Sequence, residues 1–230
     1  MTLTAQIPKK IYIRVDEWRT PWANTILYLP LKDNINDATW NYTIIQSWTV
    51  SKWSIGYSFN NWMLKTSTSF AWPTAWTISV WAKQTQSRSN SNIAAKFQET
   101  VPYNFLAIKY WNPDHSGSSP YAIVPEYAIS NSWPVELFNQ TAQPLNTWLY
   151  LVMCHGNEWT KFYINGTLFQ SDNNTSNLLT TSSPFVVGSN IQHNQYFIWE
   201  ISDVIYESKQ RTAQEVLDYY NDTKWDYWIS

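Results

Sequence analysis

Residues 146–170 read NTWLYLVMCHGNEWTKFYINGTLFQ, and they predict a buried strand followed by a β-hairpin. Both alternating sets of side chains in residues 148–154 are apolar, as is typical of a strand that is covered on both faces. Asn165-Gly166 then separates two short strand-like runs, and this pair readily supplies the two positive φ angles of a type I′ turn. We therefore expect a hairpin at 161–170 next to a strand in the middle of a sheet.

Strand-like segments recur along the rest of the chain. They are bounded by residues that favour turns, and their close spacing is typical of a two-sheet sandwich rather than of βαβ units. The predicted strands are residues 25–31, 55–59, 77–83, 93–97, 105–110, 121–129, 148–154, 161–164, 167–170, 185–187 and 196–206. Residues 1–22 are predicted to form an N-terminal arm or linker, with a possible edge strand at 11–15.

One helix is predicted after the last long strand. Thr212-Ala-Gln-Glu215 is a capping box, in which a hydroxyl and a carboxylate bind the backbone N–H groups that a helix start leaves free. Val216, Leu217 and Tyr220 would give this helix an apolar face. We expect the helix to cover part of the sandwich surface.

The distribution of charged and apolar residues argues against nucleic-acid binding and against insertion into a membrane. The 15 basic and 17 acidic residues are scattered and sum to a net charge of -2, so they form no positive stripe for phosphates. No apolar run approaches the roughly 20 residues of a membrane-spanning helix, and no signal peptide is recognisable. A cell-surface, extracellular or virion location would then require export within a longer polypeptide, a non-classical route or lysis.

Cys154 is the only cysteine, so burial of a core rather than a disulfide must stabilise the domain. Its neighbour His155 would lie on the opposite face of the strand, because adjacent strand residues alternate. We therefore interpret Cys154 as a buried thiol and not as a catalytic nucleophile.

Four stretches, in order, resemble landmarks of laminin-G-like domains of the concanavalin A-like lectin and glucanase family. They are Thr77-Ile-Ser-Val-Trp81-Ala-Lys83, Asn146-Thr-Trp148-Leu-Tyr-Leu-Val, Lys161-Phe-Tyr-Ile-Asn165-Gly166, and Glu200-Ile-Ser-Asp203-Val-Ile-Tyr206 running into Arg211-Thr-Ala-Gln-Glu-Val. The resemblance covers residues 23–224, and we interpret 23–230 as one laminin-G-like domain.

The resemblance implies an all-β fold, with two antiparallel sheets in a jelly-roll sandwich and one short C-terminal helix. Domains of this family bind carbohydrates or proteins, sometimes through calcium, and many are adhesion modules. The expected function is a non-catalytic carbohydrate-binding or adhesion module whose partner is a glycan or a surface protein. The alternative is a structural or assembly domain of a larger surface or virus-particle protein, as a homo-oligomer or within a larger assembly, with no small ligand.

Two polar loops are the predicted ligand-binding positions. Sugars are often held with a ring face against an aromatic side chain and with hydroxyls on fixed polar groups. Plain surface loops of a sandwich would have a similar composition, so both interpretations stay open. The predicted ligand-binding residues are Trp111, Asn112, Asp114, His115, Asn190, His193 and Asn194.

A third loop contains candidate ligands for calcium. Asp33, Asn34 and Asp37 offer the carboxylate and amide oxygens that calcium prefers. Asp and Asn also stabilise plain turns by accepting hydrogen bonds from nearby backbone N–H groups. A plain turn is the preferred interpretation, and calcium is the alternative.

Glycoside hydrolysis is the competing enzymatic hypothesis. Relatives that hydrolyse glucans use carboxylates two residues apart on one strand, where both can reach the same glycosidic bond. Glu200, Asp203 and Glu207 depart from this spacing, and strict alternation would place Asp203 and Glu207 on the face opposite Glu200. We therefore expect no active site.

The resembling strands also predict five core side chains. They are Trp81, Trp148, Phe162, Ile164 and Val204.

The ratio of tryptophan to glycine is unusual, with 16 Trp and 5 Gly. Average usage of about 7% Gly predicts well over twice that number of glycines. Five tryptophans stand where turn chemistry or the family resemblance favours glycine, whereas Trp81 and Trp148 match tryptophans of the family. The five are Trp22, Trp40, Trp62, Trp159 and Trp199.

Two hypotheses explain this ratio. In the first, the gene comes from a genetic code in which UGA means glycine and was translated with UGA as tryptophan. Tryptophan at a position that requires positive φ would then be strained by roughly 1–3 kcal/mol. In the second, the tryptophans are real and form an aromatic ligand surface or a sticky interface.

Overall fold

Within the residues that it describes, the computed structural model contains two antiparallel β-sheets and one α-helix near the C-terminus. It describes residues 23–32, 34–47, 51–52, 55–60, 63–85, 91–98, 104–111, 122–128, 135–137, 143–176, 183–189 and 197–227. The two-sheet architecture confirms the predicted all-β sandwich with a short C-terminal helix. The predicted arm at 1–22 lies outside the described residues.

The first sheet has eight strands and includes the predicted hairpin. Its strands are β1 (Thr25–Leu29), β3 (Ser51–Lys52), β4 (Tyr57–Asn60), β6 (Trp76–Gln84), β11 (Trp148–His155), β12 (Thr160–Ile164), β13 (Thr167–Asp172) and β15 (Ile198–Glu207). They follow the spatial order β13-β12-β11-β6-β15-β4-β3, and β1 pairs with β15 beside this path.

The second sheet has seven strands. They are β2 (Ile44–Ser47), β5 (Met63–Thr66), β7 (Ser91–Gln98), β8 (Asn104–Trp111), β9 (Ala122–Ala128), β10 (Val135–Glu136) and β14 (Phe185–Val187). The spatial order is β10-β9-β8-β7-β14-β5-β2. The short strands β2, β3, β5 and β10 were not predicted, because they span only two to four residues and lack a sustained alternation of apolar and polar residues.

Two hydrophobic clusters cover the two faces of β11, as its sequence predicts. Leu149, Leu151 and Met153 belong to the larger cluster, which fills the space between the sheets. Trp148 and Tyr150 belong to a second cluster on the outer face of the first sheet, under the helix. Cys154 is buried in this second cluster, which confirms its interpretation as a core thiol.

Four of the five expected core side chains are buried. Trp81, Phe162 and Val204 are fully buried, and Trp148 is 6% exposed. Ile164 is only partly buried at the edge of the larger cluster, because it is the last residue of β12 before the turn.

The hairpin turn has the predicted geometry. Asn165 and Gly166 both have positive φ, at 51° and 79°, as a type I′ turn requires. The Asn165 side chain also accepts a hydrogen bond from the backbone N–H of Tyr150 at 2.9 Å. The turn is therefore attached to β11 as well as to its own two strands.

The helix α1 (Ala213–Thr223) begins with the predicted capping box between Thr212 and Glu215. Its buried face consists of Val216, Tyr219 and Thr223, whereas Leu217 is exposed. The sequence prediction of the apolar face was therefore only partly correct. Within the described residues, no helix is long and apolar enough to cross a membrane.

Candidate binding site at one end of the second sheet

The outer face of the second sheet carries an ion pair. Leu106 and Ile108 of β8 belong to the cluster between the sheets, so the alternating residues Ala107 and Lys109 face outwards. Glu126 of β9, which lies opposite Ala107, forms an ion pair with Lys109. The two side chains are only 10% and 9% exposed. Each charge is therefore largely withdrawn from water, and its hydrogen bonds to a partner are strengthened accordingly.

Small and apolar side chains adjoin this ion pair. Ala107 pairs with Ala95 of β7, and Ala95 pairs in turn with Val186 of β14. Asn92 of β7 lies opposite Lys109 in the strand register and adds an amide side chain to this part of the sheet. Ala95 and Ala107 are themselves buried, at 0% and 1% exposed. Directed hydrogen bonds to the amide and the two charges, rather than ring contact, are therefore what this face offers a ligand.

The two predicted binding loops begin at the same end of the second sheet. β8 ends at Trp111, β7 begins at Ser91, and β14 runs into Gly188. The antiparallel pairing of β8 with β7 and of β7 with β14 brings these three points together. Neighbouring strands lie about 4.8 Å apart, so the two loops begin about 10 Å from each other. Lys109 is close to this same end.

Two hydroxyl groups at this end are buried without a hydrogen-bond partner among the described residues. They belong to Ser91 and Ser189. Most buried polar groups in folded proteins are paired, and an unpaired one costs about 1–3 kcal/mol.

The loop with the calcium candidates is organised by the carboxylate of Asp37. This carboxylate accepts five hydrogen bonds, so its oxygens are directed at N–H and O–H groups of its own loop. The donors are the backbone N–H groups of Tyr28, Thr39, Asn41 and Tyr42 and the hydroxyl of Thr39, at 2.6–3.1 Å.

The neighbouring candidate Asn34 also closes a turn, because its side-chain oxygen accepts from the N–H of Asn36 at 2.8 Å. Asp33 lies outside the described residues. Among the residues that are described, no three His, Cys, Asp or Glu side chains come together as a metal site. The geometry favours the plain turn, and the calcium site stays a prediction.

The prediction that Glu200, Asp203 and Glu207 point to opposite faces was wrong. A β-bulge between Ser202 and Ile205 shifts the register of β15, and Asp203 in this bulge has a φ of 45°. An extra residue in a strand reverses the alternation that follows it. All three carboxylates consequently lie on the outer face of the first sheet.

Each of these carboxylates has a cationic partner, and the partner of Asp203 is shared with Asp226. Lys83 lies 2.5 Å from Glu200, Lys32 lies 3.3 Å from Asp203, and Arg211 forms a buried ion pair with Glu207. Burial raises the pKa of Glu207, and the guanidinium of Arg211 partly opposes that shift. These contacts tie strand β15 to the helix and to the segment after β1.

Comparison with known proteins agrees with the two-sheet fold. A sequence model of the concanavalin A-like lectin/glucanases superfamily matches residues 58–217, which is well over half of the chain. The chain belongs to this superfamily. No curated protein sequence matches it significantly.

Solved structures with the same fold include sugar-bound domains. Domain 4 of AbnA, a GH43 extracellular arabinanase from Geobacillus stearothermophilus, was solved with arabinotriose. It has a TM-score of 0.69 and 17% identity, and the match covers 85% of this chain and 97% of that domain. At this identity the likeness shows the fold alone.

Two toxin domains are also similar. The ligand-binding domain of botulinum neurotoxin serotype D, solved with N-acetylneuraminic acid, has a TM-score of 0.60 and 18% identity over 86% of this chain. The binding domain of Paraclostridial Mosquitocidal Protein 1 has a TM-score of 0.64 and 13% identity over 86% of this chain. The chain spans about half of each toxin domain, at 51% and 52%.

The ligand-binding residues predicted in the two polar loops are only partly described by the structure. Trp111 is the last residue of β8, where its backbone pairs with Ala122. The other six predicted ligand-binding residues lie outside the described residues, and their contacts stay predictions. They are Asn112, Asp114, His115, Asn190, His193 and Asn194.

The sequence analysis missed Asn92, Lys109 and Glu126. A signal for two of them was present, because Lys109 and Glu126 interrupt otherwise apolar strands, NFLAIKYW and AIVPEYA. A charged residue inside such a strand must either find a partner or face outwards. Strand order was required to show that the two are partners.

Proposed function

We propose that the chain is a non-catalytic carbohydrate-binding module, and that it binds sugar at the end of the second sheet. The observation that carries this proposal is the Lys109–Glu126 ion pair on the outer face, beside Ala95 and Ala107. Asn92 supplies a further amide. The loops that follow Trp111 and Gly188 would form the rim of the site.

The chemistry of this surface suits a neutral or weakly charged sugar. A sugar hydroxyl both donates and accepts, so it can bind a carboxylate and an ammonium group at the same time. The charges of Lys109 and Glu126 already compensate each other, and a strongly charged ligand would gain little from them.

The likeness to sugar-bound domains supports this proposal. The arabinanase domain was solved with arabinotriose and the botulinum domain with N-acetylneuraminic acid. The two ligands differ in charge and size, so the fold accommodates more than one sugar class.

A glycan array with matched variants tests the proposal. We expect the chain to bind at least one glycan, and Glu126→Gln to weaken that binding at least tenfold because the charged acceptor is lost. Glu200→Gln is the matched control, since Glu200 is equally buried and also paired with a lysine, but on the other sheet. Its binding should equal that of the unmodified chain.

Two results would contradict the proposal. The first is no binding to any glycan, with or without calcium. The second is binding that Glu126→Gln leaves unchanged and Glu200→Gln weakens, because the sugar would then lie on the first sheet.

An assembly domain is the second candidate function. It is favoured by β13, which ends the first sheet and carries Leu168 with half of its surface exposed. An edge strand of this kind can pair with another chain. Light scattering after size exclusion tests this candidate: a stable oligomer that dissociates in Leu168→Lys would support it, and a monomer at all concentrations would contradict it.

A further inference from the structure

We infer that Trp40 and Trp159 occupy glycine positions, and that the natural protein has glycine there because its source reads UGA as glycine. The inference is independent of the proposed sugar site. It states which residue the natural protein has at two exposed positions, which would otherwise be interpreted as aromatic contact surfaces.

The backbone at both positions is left-handed. Trp40 has a φ of 61° and Trp159 a φ of 68°. In this region the Cβ atom of an L-residue approaches a carbonyl oxygen, so glycine is favoured and only Asn and Asp are otherwise frequent. The other non-glycine residues with positive φ in the described part of the chain are Leu31, Asn146, Asn165 and Asp203.

Burial separates the two tryptophans from Leu31. The side chain of Leu31 is fully buried in the core, so its packing can offset an unfavourable backbone conformation. Trp40 is 87% exposed and Trp159 is 52% exposed. The Trp40 indole buries little apolar surface and Trp159 leaves half of its surface exposed, so packing offsets less of the strain at these positions than at Leu31.

Neighbouring residues impose the turn at Trp40. The carboxylate of Asp37 accepts from the N–H of Asn41 at 3.1 Å, and the carbonyl of Asp37 accepts from the N–H of Trp40 at 3.2 Å. The Trp40 indole has no part in these bonds. The left-handed conformation is therefore required by the loop, and glycine satisfies it without a steric cost.

The turn at Trp159 is fixed in the same manner. The side chain of Gln210 donates to the carbonyl of Trp159 at 2.7 Å and accepts from the N–H of Glu158 at 3.1 Å. Both bonds use only the backbone of residues 158 and 159. These bonds fix the backbone conformation at position 159, and the Trp159 indole takes no part in them.

Two other tryptophans show what a required indole looks like. Trp81 is fully buried, donates to the hydroxyl of Thr223 at 3.2 Å, and stacks on Tyr227 with ring centroids 4.2 Å apart. Trp148 packs on the same tyrosine at 4.9 Å. Among the described residues, these two tryptophans therefore differ in kind from Trp40 and Trp159, as expected if two different codons were read as one amino acid.

The composition supports this division. The chain has 16 Trp and 5 Gly. If several of these tryptophans are glycines in the natural protein, both the excess of Trp and the shortage of Gly disappear. An alternative in which the five suspected tryptophans form one packed cluster conflicts with the exposure of Trp40 and Trp159. Trp199 lies within β15, opposite Phe59 and Gln84, while Trp22 and Trp62 lie outside the described residues.

The codons of the gene give the direct test. We expect UGA at Trp40 and Trp159 and UGG at Trp81 and Trp148, and the peptide masses of protein purified from its source should show glycine at positions 40 and 159. UGG at both positions, or tryptophan in the source protein, would overturn the inference.

Thermal unfolding of the chain with tryptophan at every position gives a test that does not need the source. Trp40→Gly and Trp159→Gly should each raise Tm by about 2–4 °C, as relief of backbone strain does in a domain of this size. Trp81→Gly and Trp148→Gly are the matched controls and should lower Tm or prevent folding. A fall in Tm for both Trp40→Gly and Trp159→Gly would contradict the strain argument.

Discussion

Lys96 is a charged residue within the core. It lies on β7, its side chain is fully buried, and its ammonium group donates to the hydroxyl of Ser69 at 2.9 Å. The same group lies about 5 Å from the ring centroids of Phe70 and Trp72. Burial lowers the pKa of Lys96 to about 8. Burial in the folded protein therefore destabilises the charged form of this lysine relative to its neutral form.

This shift predicts a pH dependence of stability. A lysine in the unfolded chain titrates near 10.4, so between about pH 8 and pH 10.4 the unfolded state binds more protons than the folded state. The contribution of Lys96 to the free energy of unfolding therefore rises with pH in this window. In Lys96→Met that contribution is absent.

Chemical denaturation at several pH values measures the effect. The free energy of unfolding of the unmodified chain minus that of Lys96→Met should increase as the pH rises from 8 to 10, with Lys65→Met at a partly exposed position as the control. A difference between Lys96→Met and the unmodified chain that is constant with pH would contradict the assigned shift.

Trp148 is predicted to be a major contributor to stability. It is 6% exposed and packs on Tyr227, so Trp148→Ala should lower the free energy of unfolding by about 3–5 kcal/mol. Trp225→Ala is the matched control, because Trp225 is 65% exposed and its loss should cost less than about 1 kcal/mol. Equal losses for the two variants would show that Trp148 is not a core residue.

At the scale of single elements, sequence patterns predicted some features and missed others for physical reasons. The hairpin at Asn165-Gly166 and the helix start at Thr212 depend on local backbone chemistry, so they were predicted correctly. The bulge at Asp203 depends on how β15 meets two neighbouring strands, and no local pattern indicates it. One unpredicted residue in that strand was enough to reverse the expected orientation of its acidic side chains.

The ion pair between Glu207 and Arg211 joins β15 to the start of α1. Arg211 also donates to the hydroxyl of Tyr150 at 2.8 Å, under the helix. Arg211→Met alone should cost about 3–5 kcal/mol, since it leaves the buried carboxylate of Glu207 without its partner.

The double variant Glu207→Leu/Arg211→Met should recover most of that loss, because no unpaired charge remains. Urea denaturation of the two single variants and the double variant gives the coupling free energy. Strictly additive losses would contradict the description of the two residues as one buried unit.

For the whole molecule, the order of the strands carries the functional information that the sequence lacks. The four family-like stretches were sufficient to predict a two-sheet sandwich. They could not predict that Lys109 meets Glu126, or that the loops after Trp111 and Gly188 begin at the same end of the sheet with β7 between them, because both depend on the order and register of the strands. The order of the strands in the second sheet therefore brings the residues of the candidate site together.

Removal of calcium is predicted to leave the fold unchanged. The carboxylate of Asp37 already accepts five hydrogen bonds from its own loop, so it is stabilised without a cation. Tm should be the same in excess chelator and in millimolar calcium. A clear rise of Tm with calcium that Asp37→Asn abolishes would instead establish the calcium site at Asp33, Asn34 and Asp37.

The location of a bound sugar is the most direct test of the central claim. Backbone amide NMR signals should be recorded while the glycan with the strongest array signal is titrated into the protein. The account predicts that the largest shifts occur at Asn92, Lys109 and Glu126 and in the residues adjoining Gly188. Shifts concentrated around Glu200 on the first sheet, or no shifts with any glycan, would contradict it.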